Sequence, residues 1–271
     1  MLPNAWDAAS ARIFERAGFS AIATTSAGIA ASMGYADGER IPRDEMLAVV
    51  ARIVKSVAIP VTVDLEAGYA STPEEMRDTA QQLLLTGAAG MNLEDGLPQG
   101  AMPLLQTSHH AEKIKVVREV CHVSGLDLVI NARTDIFLKC VGDRANRMAH
   151  AIHRGNTYLR AGADCVFVPG VADAETIFEL TQQIHGPVNV LAVTGTPCVN
   201  DLQRLGVARV TFGSGAMRAT LGLIERIAQE LRDNGTFENM LGGATSYAKA
   251  QALFANDESV RNRDKFLESG H

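Results

Sequence analysis

One pattern restricts the fold of this chain more than any other: an amphipathic helical run closes on glycine and passes at once into a short apolar strand. It recurs in ERAGFSAIAT, LLTGAAGMNL, LRAGADCVFV and QRLGVARVTF. Gly18, Gly87, Gly162 and Gly206 stand where a helix C-terminus takes up the left-handed conformation. Two more helices hand over through proline, in VAIPVTVD and HGPVNVLAV. With the opening LPNAW and the run DLVINAR, the chain offers eight strands, near residues 2–5, 21–24, 61–64, 90–93, 128–132, 165–168, 188–192 and 207–212. Helical periodicity falls between them at 8–17, 43–56, 73–86, 109–123, 145–161, 174–184, 200–205 and 216–232.

Strict alternation with continuously apolar strands requires a parallel sheet covered by helices. Eight such units in about 230 residues suit a closed (β/α)8 TIM barrel, an α/β fold whose site lies at the C-terminal ends of the strands. No glycine-rich dinucleotide fingerprint follows the first strand, so an open doubly wound sheet has little support. Asn234-Gly235 breaks the last barrel helix. We therefore divide the chain into a barrel, residues 1–233, and a C-terminal extension, 234–271. The amphipathic run at 244–255 has no strand behind it, which suggests packing on a neighbouring subunit and a homo-oligomer.

Charge and composition narrow the partners. A net charge of −6 and the absence of a Lys/Arg-rich tract argue against nucleic acid or an acidic membrane surface. No apolar stretch approaches the ~20 residues that span a bilayer, and no signal peptide is apparent, so a cytoplasmic location is expected. Cys121, Cys140, Cys165 and Cys198 lack metal-like spacing and read as reduced thiols.

The chemistry concentrates at strand ends. VTVDLEAGY carries Asp64 and Glu66 two positions apart, on one face if the strand continues. AGMNLEDG ends at Glu94 and Asp95, and LDLVINARTD at Arg133, a planar fork for a carboxylate or phosphate. Asp64, Glu66 and Glu94 supply oxygen donors only, a set that selects Mg2+ (or Mn2+) over zinc. Helix capping does not account for them, since TPEE already caps the helix at 73. Small residues between Thr24 and Ala31 leave backbone N–H groups open to a carboxylate or enolate oxygen. Asp37, between Gly34 and Gly38, sits on a connection that can reach the barrel mouth. Asn189 alternates with apolar neighbours and is a candidate for the mouth. Phe212-Gly213-Ser214-Gly215 is similar to a barrel phosphate loop, with close helix packing as the favoured account of its glycines. His150 and His153 read as a helix surface face.

AIATTSAGIAASMGYADG, VDLEAGY, NLEDG and NARTD, in this order, resemble the isocitrate lyase and phosphoenolpyruvate mutase superfamily over residues 3–254. The resemblance implies a (β/α)8 barrel with Mg2+ at its mouth, acting through an enolate on α-oxo or 2-hydroxy carboxylates. It places Asp64 and Glu66 as metal-region acids, Glu94 as the fourth-strand glutamate and Asp37 as the loop aspartate. It makes Arg133 the substrate-binding arginine and Thr25, Ser26 and Ala27 the substrate cradle, and it implies a tetramer that exchanges C-terminal helices.

The departures are equally informative. Isocitrate and methylisocitrate lyases carry a cysteine in a KKCGH loop, and the mutases a lysine and asparagine. This chain has GLPQGAMPLLQTSHH, without a thiol and without a lysine before Lys113. His109 and His110 are candidates to replace the lost acid, but adjacent residues on a loop or first helical turn point apart, which leaves at least one of them solvated. Pro169 stands where mutases have histidine and methylisocitrate lyases glutamate. The expected activity is Mg2+-dependent C–C lysis or decarboxylation of a small α-keto or 2-hydroxy acid. Phosphoenolpyruvate phosphonomutase or phosphonopyruvate hydrolase chemistry is the alternative within the class, and a metabolite-binding barrel without catalysis the alternative outside it.

Overall fold

The computed structural model describes residues 1–97 and 103–255 of the 271. Part of the GLPQGAMPLLQ stretch and the polar tail from 256 therefore lie outside the described residues.

Eight strands form one parallel sheet in sequence order: β1 Asn4–Ala5, β2 Ile22–Thr24, β3 Val61–Asp64, β4 Gly90–Glu94, β5 Val129–Arg133, β6 Cys165–Phe167, β7 Val188–Leu191 and β8 Arg209–Thr211. Leu2 makes a parallel bridge to Thr211, which brings the eighth strand back to the first. Asn4 reinforces that seam. Its Oδ1 accepts the amides of Phe212 and Gly213 at 2.8 and 3.1 Å, and its Nδ2 donates to the Thr24 carbonyl at 2.8 Å. The supposed phosphate loop thus commits two of its amides to barrel closure.

The helices are α1 Ala8–Arg16, α2 Ser26–Ser32, α3 Arg43–Ser56, α4 Pro73–Leu85, α5 Thr107–Ser124, α6 Arg144–Arg160, α7 Ala174–Gln183, α8 Val199–Arg204 and α9 Gly215–Asp233. Start signals are local. Asp7 and Ser10 form a capping box on α1, and Thr72 and Glu75 another on α4, with Pro73 in its first turn. Buried Ile, Leu, Val and Met from the strands and inner helix faces make two clusters, one over β1–β5 and one over β6–β8. The helix α2 was not expected. Thr25 caps it through Gly28 N, and a Cβ on Gly28 would stand 2.8 Å from Trp6 Cβ, so the small-residue run is a close-packed helix rather than an open loop.

Beyond Asp233 lie two short helices, α10 Glu238–Leu241 and α11 Tyr247–Ala252, shorter than the amphipathic run at 244–255. Glu230, on α9, accepts from Thr236, both amides Glu238 and Asn239, and the Asn239 side chain, and these bonds pull its pKa down to about 2. Arg16 of α1 hydrogen-bonds the Ala252 carbonyl, so α11 touches its own barrel here. Leu221, Ile224, Phe237, Leu241, Tyr247 and Phe254 remain exposed on this end of the molecule. Among the described residues, no helix is long and apolar enough to cross a membrane.

Candidate active site

The C-terminal ends of the strands enclose a cavity of about 140 Å³. Its β8-to-β4 arc is polar, with Asn4, Thr25, Ser26, Asp37, Asp64, Asn92, Thr211 and Ser214. Its β5-to-β7 arc is apolar, with Leu138, Phe167, Pro169 and Leu191, and Arg133 is the one cation lining it among the described residues. A larger cavity of about 720 Å³ lies beside Glu39, Tyr69 and Lys113, but it contains neither Asp64 nor Arg133, so we place the chemistry in the smaller one.

Asp64 closes β3 and is held from both sides. Its Oδ2 accepts from Ser26 N at 3.1 Å and Ser26 Oγ at 2.9 Å, and its Oδ1 from Asn92 Nδ2 at 3.3 Å. Beneath it, Asn92 Oδ1 accepts from Asn131 Nδ2 at 2.7 Å, a polar floor inside the barrel. Asp37 enters the cavity from the connection after α2, its pKa raised by burial and by the charge of Asp64.

Glu66 does not share a strand face with Asp64. The strand ends at Asp64 and Glu66 takes φ +52°, so alternation stops before it. The turn nevertheless keeps it near the other acids. Burial, then Asp64 and Asp37, push its pKa up to about 7. Its Oε2 accepts the Glu39 amide at 2.8 Å, and Glu39 Oε1 accepts the Tyr69 amide at 2.7 Å. Glu39, Glu66 and Tyr69 all have positive φ, at 55°, 52° and 50°. Such backbones cost of order 1–3 kcal/mol each and persist where surrounding bonds over-determine them, typically near functional sites.

Glu94 Oε2 meets Arg133 Nη1 at 2.6 Å, and its pKa is raised because burial outweighs the attraction of Arg133. Arg133 also grips Asp135, Nε to Oδ1 at 2.6 Å and Nη2 to Oδ2 at 3.1 Å, and its guanidinium stands 5.7 Å over the Phe167 ring.

Several expected positions change meaning. Of the Thr25–Ala27 amides, Thr25 N already donates to the Ala5 carbonyl and Ser26 N to Asp64. Ala27, in the first turn of α2, keeps an amide that helix geometry leaves without an internal partner. Asn189 is fully buried, pairs with Thr211 Oγ1 at 3.4 Å, and is not part of the cavity wall. His110 is fully buried against Tyr158, and burial followed by Lys113 and Arg154 drives its pKa down to about 3, which makes it a neutral packing residue. Asp135 and Glu39 went unclaimed in the sequence. Asp135, two residues beyond Arg133 in NARTD, had a signal available in that spacing; Glu39 had none.

Among the described residues, no group of three or more His, Cys, Asp or Glu side chains is gathered as a metal shell. Glu66 and Glu94 are turned to Glu39 N and Arg133, which leaves Asp64 and Asp37 facing the cavity. The donors still suit a hard cation. They are carboxylate oxygens, and Asp37 and Glu66 each have a pKa raised in part by acid neighbours. Mg2+ itself takes one or two carboxylates and keeps waters.

A closed βα barrel with carboxylates and an arginine around a small cavity at its strand ends has the form of a TIM-barrel enzyme. A family model described as phosphoenolpyruvate phosphomutase matches residues 1–232, and the chain belongs to that family, within the phosphoenolpyruvate mutase and isocitrate lyase superfamily. An uncharacterized protein of Mycobacterium tuberculosis H37Rv is 35% identical over 260 residues, 96% of this chain and 93% of that protein. The 2-methylisocitrate lyase of Halalkalibacterium halodurans is 30% identical over 248 residues, covering 88% and 79%. A solved structure of a Burkholderia cenocepacia J2315 protein superposes with a TM-score of 0.88 at 33% identity, over 95% of this chain and 92% of that one.

Proposed function

We propose that this chain is a Mg2+-dependent enzyme that forms an enolate of a small α-keto or 2-hydroxy carboxylate by breaking a C–C bond, as a lyase or decarboxylase. The observation that carries the reading is the cavity itself: Asp37, Asp64, Arg133 and the first turn of α2 converge on one small space at the strand ends.

Asp64 and Asp37 would hold Mg2+ directly, with Glu66 and Glu94 behind them acting through water. When bound, the metal supplies Lewis-acid polarisation of the substrate oxygens. Asp135 takes two of the five Arg133 N–H groups by hydrogen bonds and Glu94 is an ion-pair partner at Nη1, which leaves N–H groups on Nη1 and Nη2 for a carboxylate. The Ala27 amide is placed to donate to the oxygen on which enolate charge develops.

The apolar arc of Leu138, Phe167, Pro169 and Leu191 favours small acids over tricarboxylates, because a further carboxylate would meet no cation there among the described residues. The same limit disfavours a phosphonate dianion and therefore P–C chemistry. A homotetramer, assembled over the exposed apolar residues of α9 to α11, and a cytoplasmic location belong to this reading.

The test is a panel of α-keto and 2-hydroxy acids assayed with Mg2+, with chelator, and with Arg133→Ala. Turnover that needs both the metal and Arg133 supports the proposal. Binding of the same acids without any product would instead make the barrel a metabolite binder.

A further inference from the structure

Arg133 can hold a substrate carboxylate in only one direction, and the residue that sets this direction is not one the chemistry touches. We infer that Asp135 is a positioning residue that fixes the free edge of Arg133 toward the cavity, and that Gly96 and Asp95 exist at their positions to keep Asp135 in place. The inference rests on reading Arg133 as the carboxylate-binding residue.

Asp135 is fully buried and places both oxygens on the side edge of the guanidinium, Nε and Nη2. The N–H groups that Asp135 leaves are those of Nη1 and the second of Nη2, and Glu94 Oε2 is the ion-pair partner of Nη1. The backbone beneath is gripped by Asp95, also fully buried. Its amide donates to the Arg133 carbonyl at 3.0 Å, and its Oδ1 accepts the Asp135 amide at 2.9 Å. The other oxygen, Oδ2, is anchored on α6 by Arg154 Nη1 at 2.8 Å and Tyr158 Oη at 2.7 Å. Each buried aspartate thus has its own arginine, and the charges balance along the line from α6 to the cavity.

Gly96 provides the second, independent observation. A Cβ there would lie 2.4 Å from Asp135 Oδ2 and 3.0 Å from Lys139 Cε. The Gly96 backbone is not left-handed, so alanine is conformationally allowed and its cost falls on the Asp135 carboxylate. Glycine at this position is the space that the carboxylate occupies.

Two variants test the inference from opposite sides. Asp135→Asn keeps the shape and removes the charge; Gly96→Ala keeps every charge and displaces the carboxylate. Misplacement by about 1 Å is enough to cost about 10²-fold, so both should lower kcat for the best acid of the panel by about tenfold or more. KM should stay within about threefold of wild type. Oxalate, a rigid mimic of pyruvate enolate, should bind about tenfold more weakly by calorimetry in Mg2+, following kcat/KM. The melting temperature of Gly96→Ala should change by only a few degrees, which separates positioning from loss of fold. Wild-type kcat and oxalate affinity in both variants, with Arg133→Ala inactive, would overturn the role of Asp135 alone. Wild-type behaviour in Arg133→Ala would overturn the carboxylate-binding reading and the inference with it.

Discussion

Replacing Glu66 with glutamine should make the protein more stable at neutral pH, although the side chain makes hydrogen bonds in the native state. Glu66 titrates near 7 in the fold because burial and the charges of Asp64 and Asp37 disfavour its ionised form, against about 4.5 when unfolded. The native state therefore holds the proton more tightly than the unfolded chain. Stability falls as pH rises from about 4.5 to about 7, and the loss is complete above that range. The difference corresponds to about 3 kcal/mol, and for a chain of this size to about 6–12 °C in melting temperature. A glutamine side chain would keep an oxygen to accept the Glu39 amide, as Glu66 does at 2.8 Å, without the charge. Thermal unfolding in chelator from pH 5 to pH 8 is the assay. Wild type should lose stability across this range relative to Glu66→Gln, the two being close at pH 5. Parallel profiles for the two proteins would refute the reasoning, because they would mean that Glu66 ionises in the fold as easily as in the unfolded chain.

Asp64→Ala should bind Mg2+ clearly more weakly in a calorimetric titration, since it removes the cavity's best-held carboxylate; unchanged affinity would place the metal elsewhere. Methylisocitrate should be cleaved at well under the usual enzyme kcat/KM of ~10⁴ M⁻¹s⁻¹, because the stretch from Leu97 to Leu105 has no thiol to protonate the carbanion; efficient cleavage would show that another group does so. Light scattering should give a mass well above 28.9 kDa, given the apolar residues exposed on α9 to α11; a folded monomer at micromolar concentration would contradict this. Tyr158→Phe should destabilise the fold by about 1–3 kcal/mol, the cost of removing one buried partner of Asp95, measured by denaturant unfolding.

The barrel was legible because its signals are local. Glycine at a helix end, a β-branched run and a Ser, Thr or Asp cap each act within a few residues, and all eight strands fall where those signals put them. Small residues misled at α2: Ser26 to Ser32 have one large apolar side chain, Ile29, too few to mark a helical face, and contacts with Thr25 and Trp6 explain why Gly28 must be small. The acids at strand ends were visible as residue types, but not their partners. Period-two alternation was carried past residue 64, where the expected strand already ended, and could not foresee that Glu66 would turn to an amide twenty-seven positions away. Asn189 shows the same gap, since its alternation is real but its register sets it one layer below the cavity, against Thr211.

The two sides of the mouth answer different electrostatic demands. On the β4–β5 side each buried aspartate is matched, Asp95 by Arg154 and Asp135 by Arg133, and Glu94 shares Arg133. On the β2–β3 side the charges acting on Glu66 are all negative, from Asp64, Asp37 and Glu39. Such a set lowers its energy either by taking up protons or by accepting a cation. A cation at Asp64 and Asp37 would draw the Glu66 pKa back down and so reverse the pH dependence argued above. Binding to the native state alone stabilises by RT ln(1 + [L]/Kd), and competition with protons makes the gain larger at pH 8 than at pH 5. If Mg2+ raises the melting temperature more at pH 8, and Glu66→Gln reduces that difference, the acids act as one cation-seeking group. An equal Mg2+ effect at both pH values would separate Glu66 from the metal.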